Sequence, residues 1–100
     1  MAAIRSSARA ERAAAQIGTQ LAAWRKLQGL TAAQVADRAG ITRGTLHRLE
    51  SGETTVGLAV FLNVARALGM LDSVVESTDP FSTDLGRARS ADRLPERVRA

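Results

Sequence analysis

The 100-residue chain has 14 basic and 10 acidic side chains, a net charge of +4, 45% hydrophobic residues, one Trp, two Phe, no Tyr and no Cys. That length supports one small core, and with so few aromatics Ala and Leu must pack it, which favours helices over sheets. Without cysteine and with His47 as the single histidine, neither a disulfide scaffold nor a thiolate or histidine metal site is expected, and no cofactor is called for.

Residues 1–10 lack an apolar stripe and read as a flexible arm. No apolar run there is long enough for a signal peptide or a membrane span, so a cytoplasmic location is expected. From Glu11 to Gln28 the pattern is helical. Ile17, Leu21 and Trp24 fall at i, i+4 and i+7 and predict one buried face. Gly29 follows the last helical residue, where left-handed backbone ends a helix. Thr31-Ala-Ala-Gln34 reads as a capping box that opens a second helix. That helix runs to Ala39, with Val35, Ala36 and Ala39 inward, and Gly40 stops it.

Thr42 is the expected N-cap of a third helix. Ile41 before it and Leu46 at the fourth helical position form a hydrophobic staple that sets the entry angle. Leu46 and Leu49 point inward with Thr45 on the same side. Arg43, Gly44, His47, Arg48 and Ser51 take the opposite face, and Gly52 ends the helix. After the polar loop Glu53-Thr54-Thr55, a fourth helix spans Gly57 to Leu68, with Leu58, Phe61, Leu62, Ala65 and Leu68 inward. Gly69 closes it. Leu71 to Glu76 fits a short fifth helix, and Asp79-Pro80 breaks regular structure.

The remainder, through residue 100, is polar and Arg-rich with little periodicity and reads as a tail. Its apolar anchors Phe81, Leu85, Leu94 and Val98 are scattered among charges. Such a pattern fits either a segment that orders on a partner or a solubilising tail. The expected division is an arm over 1–10, a domain over 11–77 and a tail over 78–100.

The charge is uneven. Residues 1–50 hold eight basic groups (Arg5, Arg9, Arg12, Arg25, Lys26, Arg38, Arg43, Arg48) against three acidic ones (Glu11, Asp37, Glu50). A basic half points to a polyanionic partner. The second and third helices are separated by only Gly40-Ile41-Thr42, a gap that forces a steep crossing and leaves one face of the third helix exposed. An α-helix fits the major groove of B-DNA, where Arg makes two-pronged bonds to guanine and Thr contacts phosphate or a thymine methyl. Gly44 lets the backbone approach closely, at a helix cost of roughly 1 kcal/mol relative to Ala. No Ser, Thr or His is arranged with a base and an orienting group, so an enzyme is not expected.

Leu30-Thr-Ala-Ala-Gln-Val-Ala36 followed by Ala39-Gly-Ile-Thr-Arg-Gly-Thr-Leu-His-Arg-Leu-Glu-Ser-Gly52 resembles the Cro/CI (Xre-like) repressor domain, from about Ile17 to Leu68. The resemblance implies an all-α, four- to five-helix lambda-repressor-like domain. It also implies a homodimer that binds double-stranded operator DNA and represses transcription of its own promoter. It places base reading on Arg43, Gly44 and Arg48 and a phosphate contact on Thr42; Thr45, His47 and Gln34 are further candidate DNA contacts from their own chemistry. Arg25 and Glu50 match a partly buried ion pair. One position departs from the pattern: Ala32 stands where the family often has a glutamine that braces the recognition helix.

Leu71, Val74 and Val75 are apolar candidates for a dimer contact. The tail resembles HipB-like antitoxins, which implies a toxin kinase as a second partner. The alternative is a protein-interaction module with the same fold that does not bind DNA, which Ala32 and Gly44 would favour and the basic third helix disfavours.

Overall fold

The computed structural model describes Arg5 and residues 7–93. Leu94 and Val98 lie outside the described residues, as do residues 1–4 and 6 of the N-terminal arm. All regular structure among the described residues is helical: α1 (Ala8–Leu27), α2 (Ala32–Ala39), α3 (Arg43–Glu50), α4 (Leu58–Ala67), α5 (Leu71–Ser77), a 3-10 turn (Pro80–Ser82) and α6 (Asp84–Arg93). None of these helices is long and apolar enough to cross a membrane. The chain divides into two compact units, one ending at Met70 and the other beginning at Leu71.

In the first unit α1 starts three residues earlier than the apolar pattern indicated. The Ser7 hydroxyl accepts from the Ala10 amide at 3.0 Å and caps the helix inside the expected arm. The capping box of α2 is complete: Gln34 N donates to Thr31 Oγ1 at 3.1 Å, and Thr31 N donates to Gln34 Oε1 at 2.9 Å. Thr42 caps α3 by accepting from Thr45 N at 3.1 Å. Between α2 and α3 the backbone turns at Gly40, φ 71°. Gly40 N bonds the Asp37 carbonyl and Ile41 N bonds the Ala36 carbonyl, the paired closure that a left-handed residue allows.

The core joins Leu21 of α1, Val35, Ala36 and Ala39 of α2, Leu46 and Leu49 of α3, and Val64 and Leu68 at α4. Ile41 is half-buried against it beside Leu46, as the staple requires. α2 packs on both α3 and α4, and α1 packs on α3.

Two inward faces differ from the sequence reading. On α1, Ile17 and Trp24 remain 43% and 45% exposed, while Gly18 and Leu21 are buried. The helix crosses α3 backbone to backbone at Gly18, so its contact face is turned by about one residue. On α4, Leu58 is 69% exposed and Val64 is completely buried. The run from Leu58 to Leu68 is apolar almost all round, so its periodicity does not fix the phase; packing against α2 does.

Within the segment read as a polar, Arg-rich tail, residues 80–93 form the 3-10 turn and α6, helical structure that the weak periodicity did not indicate. Asp79 Oδ1 accepts from Phe81 N at 2.9 Å, and Thr83 Oγ1 accepts from Gly86 N at 3.0 Å. Arg87 pairs with Asp84 and donates to the Phe81 carbonyl at 2.7 Å. Gly86 lies so close to the Pro80 carbonyl that any Cβ would collide with it. Local caps, which leave no apolar stripe, hold this segment.

Candidate nucleic-acid interface

α3 presents the candidate surface. Its inward side is anchored by Leu46 and Leu49, both buried. This fixes the opposite side outward, where Arg43, Gly44, His47, Arg48 and Ser51 are all exposed. Thr42 Oγ1, having accepted the cap bond, donates to Thr45 Oγ1 at 2.9 Å. Both hydroxyls therefore sit at the N-terminal end of the helix, beside Arg43. His47 Nε2 lies 3.5 Å from Ser51 Oγ one turn on.

The two arginines of this face differ. Arg43 makes no hydrogen bond or ion pair within the described residues. Arg48 is tethered: its Nε donates to Glu53 Oε2 at 2.7 Å and one terminal nitrogen donates to Thr55 Oγ1 at 3.3 Å. Gly44 is open, the nearest atom to a Cβ built there being Thr42 Oγ1 at 3.9 Å. Nothing in the packing of the described residues requires a glycine at that position. Gln34 is exposed on α2, and its side-chain oxygen is engaged in the capping box, which leaves its amide donors available.

An open hollow of about 430 Å³ lies between Ala32 at the start of α2 and the Arg43–His47 turn of α3. Its floor is the pair of Arg25 and Glu50. Arg25 Nε donates to Glu50 Oε2 at 2.9 Å and its NH2 donates to Oε1 at 3.1 Å, a two-pronged contact. A third nitrogen reaches the Leu30 carbonyl at 3.3 Å. The side chains are only 13% and 14% exposed. Hydrogen bonding to the Glu50 carboxylate holds the Arg25 guanidinium above its ordinary pKa; burial opposes this, and the Glu50 charge adds to it. The pair ties the C-terminal end of α1 to the C-terminal end of α3 and so fixes the tilt of the exposed face.

Sequence reasoning missed three residues that shape this surface. Gly18 sets the closeness of α1 to α3, and Glu53 and Thr55 hold Arg48. For Glu53 a signal existed: it follows Gly52, in the position whose side chain meets the last turn of the preceding helix. Gly18 sits inside a good helical pattern, and nothing beside it in sequence marks it as a contact.

Among the described residues no group of His, Cys, Asp and Glu is arranged to hold a metal ion. Residues 16–77 match a family model described as a helix-turn-helix domain. The searches of curated proteins and of solved structures found no match.

Proposed function

The chain belongs to the helix-turn-helix domain family, and from that premise we propose that it is a sequence-specific DNA-binding transcriptional repressor, acting in the cytoplasm as a homodimer. The observation that carries this reading is the outer face of α3. It offers an uncommitted guanidinium at Arg43 and an open backbone at Gly44, flanked by the Thr42 and Thr45 hydroxyls. A glycine that internal packing does not require, in a helix it weakens, is accounted for by an outside surface that must come close. Arg43 then reads a base edge, the Thr42 end contacts phosphate, and His47, Arg48 and Gln34 border the contact.

The protein works by occupancy rather than catalysis. Two copies related by a two-fold axis would place their α3 helices about one DNA turn apart, roughly 34 Å, and a bound dimer would block transcription from its own promoter.

The test is selection of duplexes from a randomised pool by the full chain, followed by light scattering of the complex. An enriched duplex with two related half-sites and two protomers bound supports the reading. If no duplex is enriched, the fold is serving as a protein-interaction module and the DNA-binding reading falls. A second reading, an antitoxin that also engages a toxin kinase, draws on the second unit, where Val75, Phe81 and Leu85 remain 61%, 47% and 62% exposed.

A further inference from the structure

We infer that Glu53, outside the recognition helix, is a specificity-determining residue of this surface and acts through Arg48. The inference rests on the DNA-binding reading above.

The backbone builds the pair. Gly52, at φ 83°, turns the chain out of α3, so that Glu53 N bonds the Arg48 carbonyl at 3.1 Å and Gly52 N bonds the Leu49 carbonyl at 3.0 Å. This closure brings the side chain after the glycine against the side chain of the last helical turn. At the ends of α2 and α4 the equivalent residues are Ile41 and Met70, both packed on the apolar core. At the end of α3 the pair is instead a carboxylate and a guanidinium, 2.7 Å apart, with Thr55 adding a bond at 3.3 Å.

The bonds to Glu53 and Thr55 occupy Nε and one terminal nitrogen of Arg48. Among the described residues the other terminal nitrogen has no partner, so the end of the planar fork is available to donate outward. Two consequences follow. The guanidinium is held in one orientation before DNA arrives, which reduces the ordering needed to reach one particular acceptor. Its charge is also balanced by a carboxylate that would itself face the phosphates, so Arg48 adds little to sequence-independent attraction. Both effects raise the preference for one DNA sequence over others. Glu53 is thus a positioning residue for a contact that Arg48 makes.

Glu53→Gln keeps the shape and removes the charge. Binding of the full chain is titrated at several salt concentrations against two probes: a duplex enriched by the wild type from a randomised pool, and a scrambled duplex of equal length and composition. The variant should bind the scrambled duplex about three- to tenfold more tightly, with a salt slope steeper by about one unit. Its affinity for the enriched duplex should rise less or fall, so that discrimination drops. In an Arg48→Ala background, Glu53→Gln should lose most of its effect on discrimination. An equal change for both duplexes, or no change, with the circular dichroism spectrum intact, overturns this inference and leaves DNA binding by α3 standing. Failure of the wild type to enrich any duplex overturns the DNA-binding reading, and this inference with it.

Discussion

Gly18 of α1 lies directly against the backbone at the end of α3: a Cβ placed on it would come within 2.5 Å of the Glu50 carbonyl oxygen and 2.6 Å of that of Leu49. The same Glu50 reaches with its carboxylate to Arg25, almost two helical turns further along α1. Backbone contact and ion pair therefore fix α3 against α1 at two separate points. Gly52 supports the same crossing, since a Cβ on it would lie 2.5 Å from the Ala15 Cα.

Gly18→Ala should accordingly destabilise the protein although Ala is the better helix former. The propensity gain is roughly 1 kcal/mol, and the neighbours are backbone atoms that cannot swing aside. Overpacking of this kind costs about 1–3 kcal/mol. Urea denaturation should show a lower midpoint with an unchanged slope. A raised midpoint would mean that α1 and α3 can separate without loss, contrary to the packing described.

Val64 and Leu58 make a controlled comparison on one helix. Val64 is fully buried beside the core residues of α2, whereas Leu58 is 69% exposed at the start of α4. Val64→Ala should cost about 2 kcal/mol through lost burial and an unfilled cavity. Leu58→Ala, the larger truncation, should stay within about 0.5 kcal/mol of wild type. Thermal denaturation of the two variants settles the phase of α4; the opposite ranking would turn the helix by half a turn.

These two helices also show what was legible in the sequence. Where local chemistry decides the structure, the residues alone predicted it: Thr31, Gln34 and Thr42 cap as read, and the backbone reverses at Gly29, Gly40, Gly52 and Gly69. The outward face of α3 was legible because its apolar and polar residues separate cleanly. At α4 Ala65 and Leu68 are buried as read, but the choice of Val64 over Leu58 was not legible, because both sides of that helix are apolar and only the packing of α2 selects between them. The role of Gly18 depends on a contact more than 30 residues away in the chain. The helices after Asp79 rest on caps and on Gly86, signals that a search for apolar periodicity passes over.

The ion pair beneath α3 should be more costly to break than to replace. Glu50→Ala leaves the Arg25 guanidinium in a site where the side chain is only 13% exposed. Removing one partner of a buried pair costs about 3 kcal/mol, and leaving the other charge unpaired accounts for most of that. The double variant Arg25→Met with Glu50→Leu should lose less than either single alanine variant. The raised pKa of Arg25 means its share of the stability is complete below its unfolded value and fades only as pH rises through the folded one, in strongly alkaline solution. Denaturation midpoints measured between about pH 6 and 9, far below the titration of any arginine, should therefore show no loss traceable to Arg25. A fall with rising pH in that interval, absent from the Arg25→Met, Glu50→Leu variant, would contradict this assignment.

Arg43 is where the proposed reading of DNA is most exposed to test. It stands at the first position of α3, held at a fixed height by the Thr42 cap, and none of its donors is engaged within the described residues. A guanidinium so placed can give both prongs to one guanine, an interaction worth about 1–3 kcal/mol of discrimination at a single base pair. Arg43→Ala should therefore flatten the preference at one position in each half-site and leave the others unchanged. It should have little effect on folding, because the side chain packs on nothing in the core. A phosphate contact would behave otherwise, weakening every duplex alike and lowering the salt slope by about one unit. Titrating wild type and variant against single-base variants of the enriched duplex separates the two. A uniform loss moves Arg43 from the bases to the backbone. Undiminished binding to every duplex by both Arg43→Ala and Arg48→Ala would remove the outer face of α3 from the interface altogether.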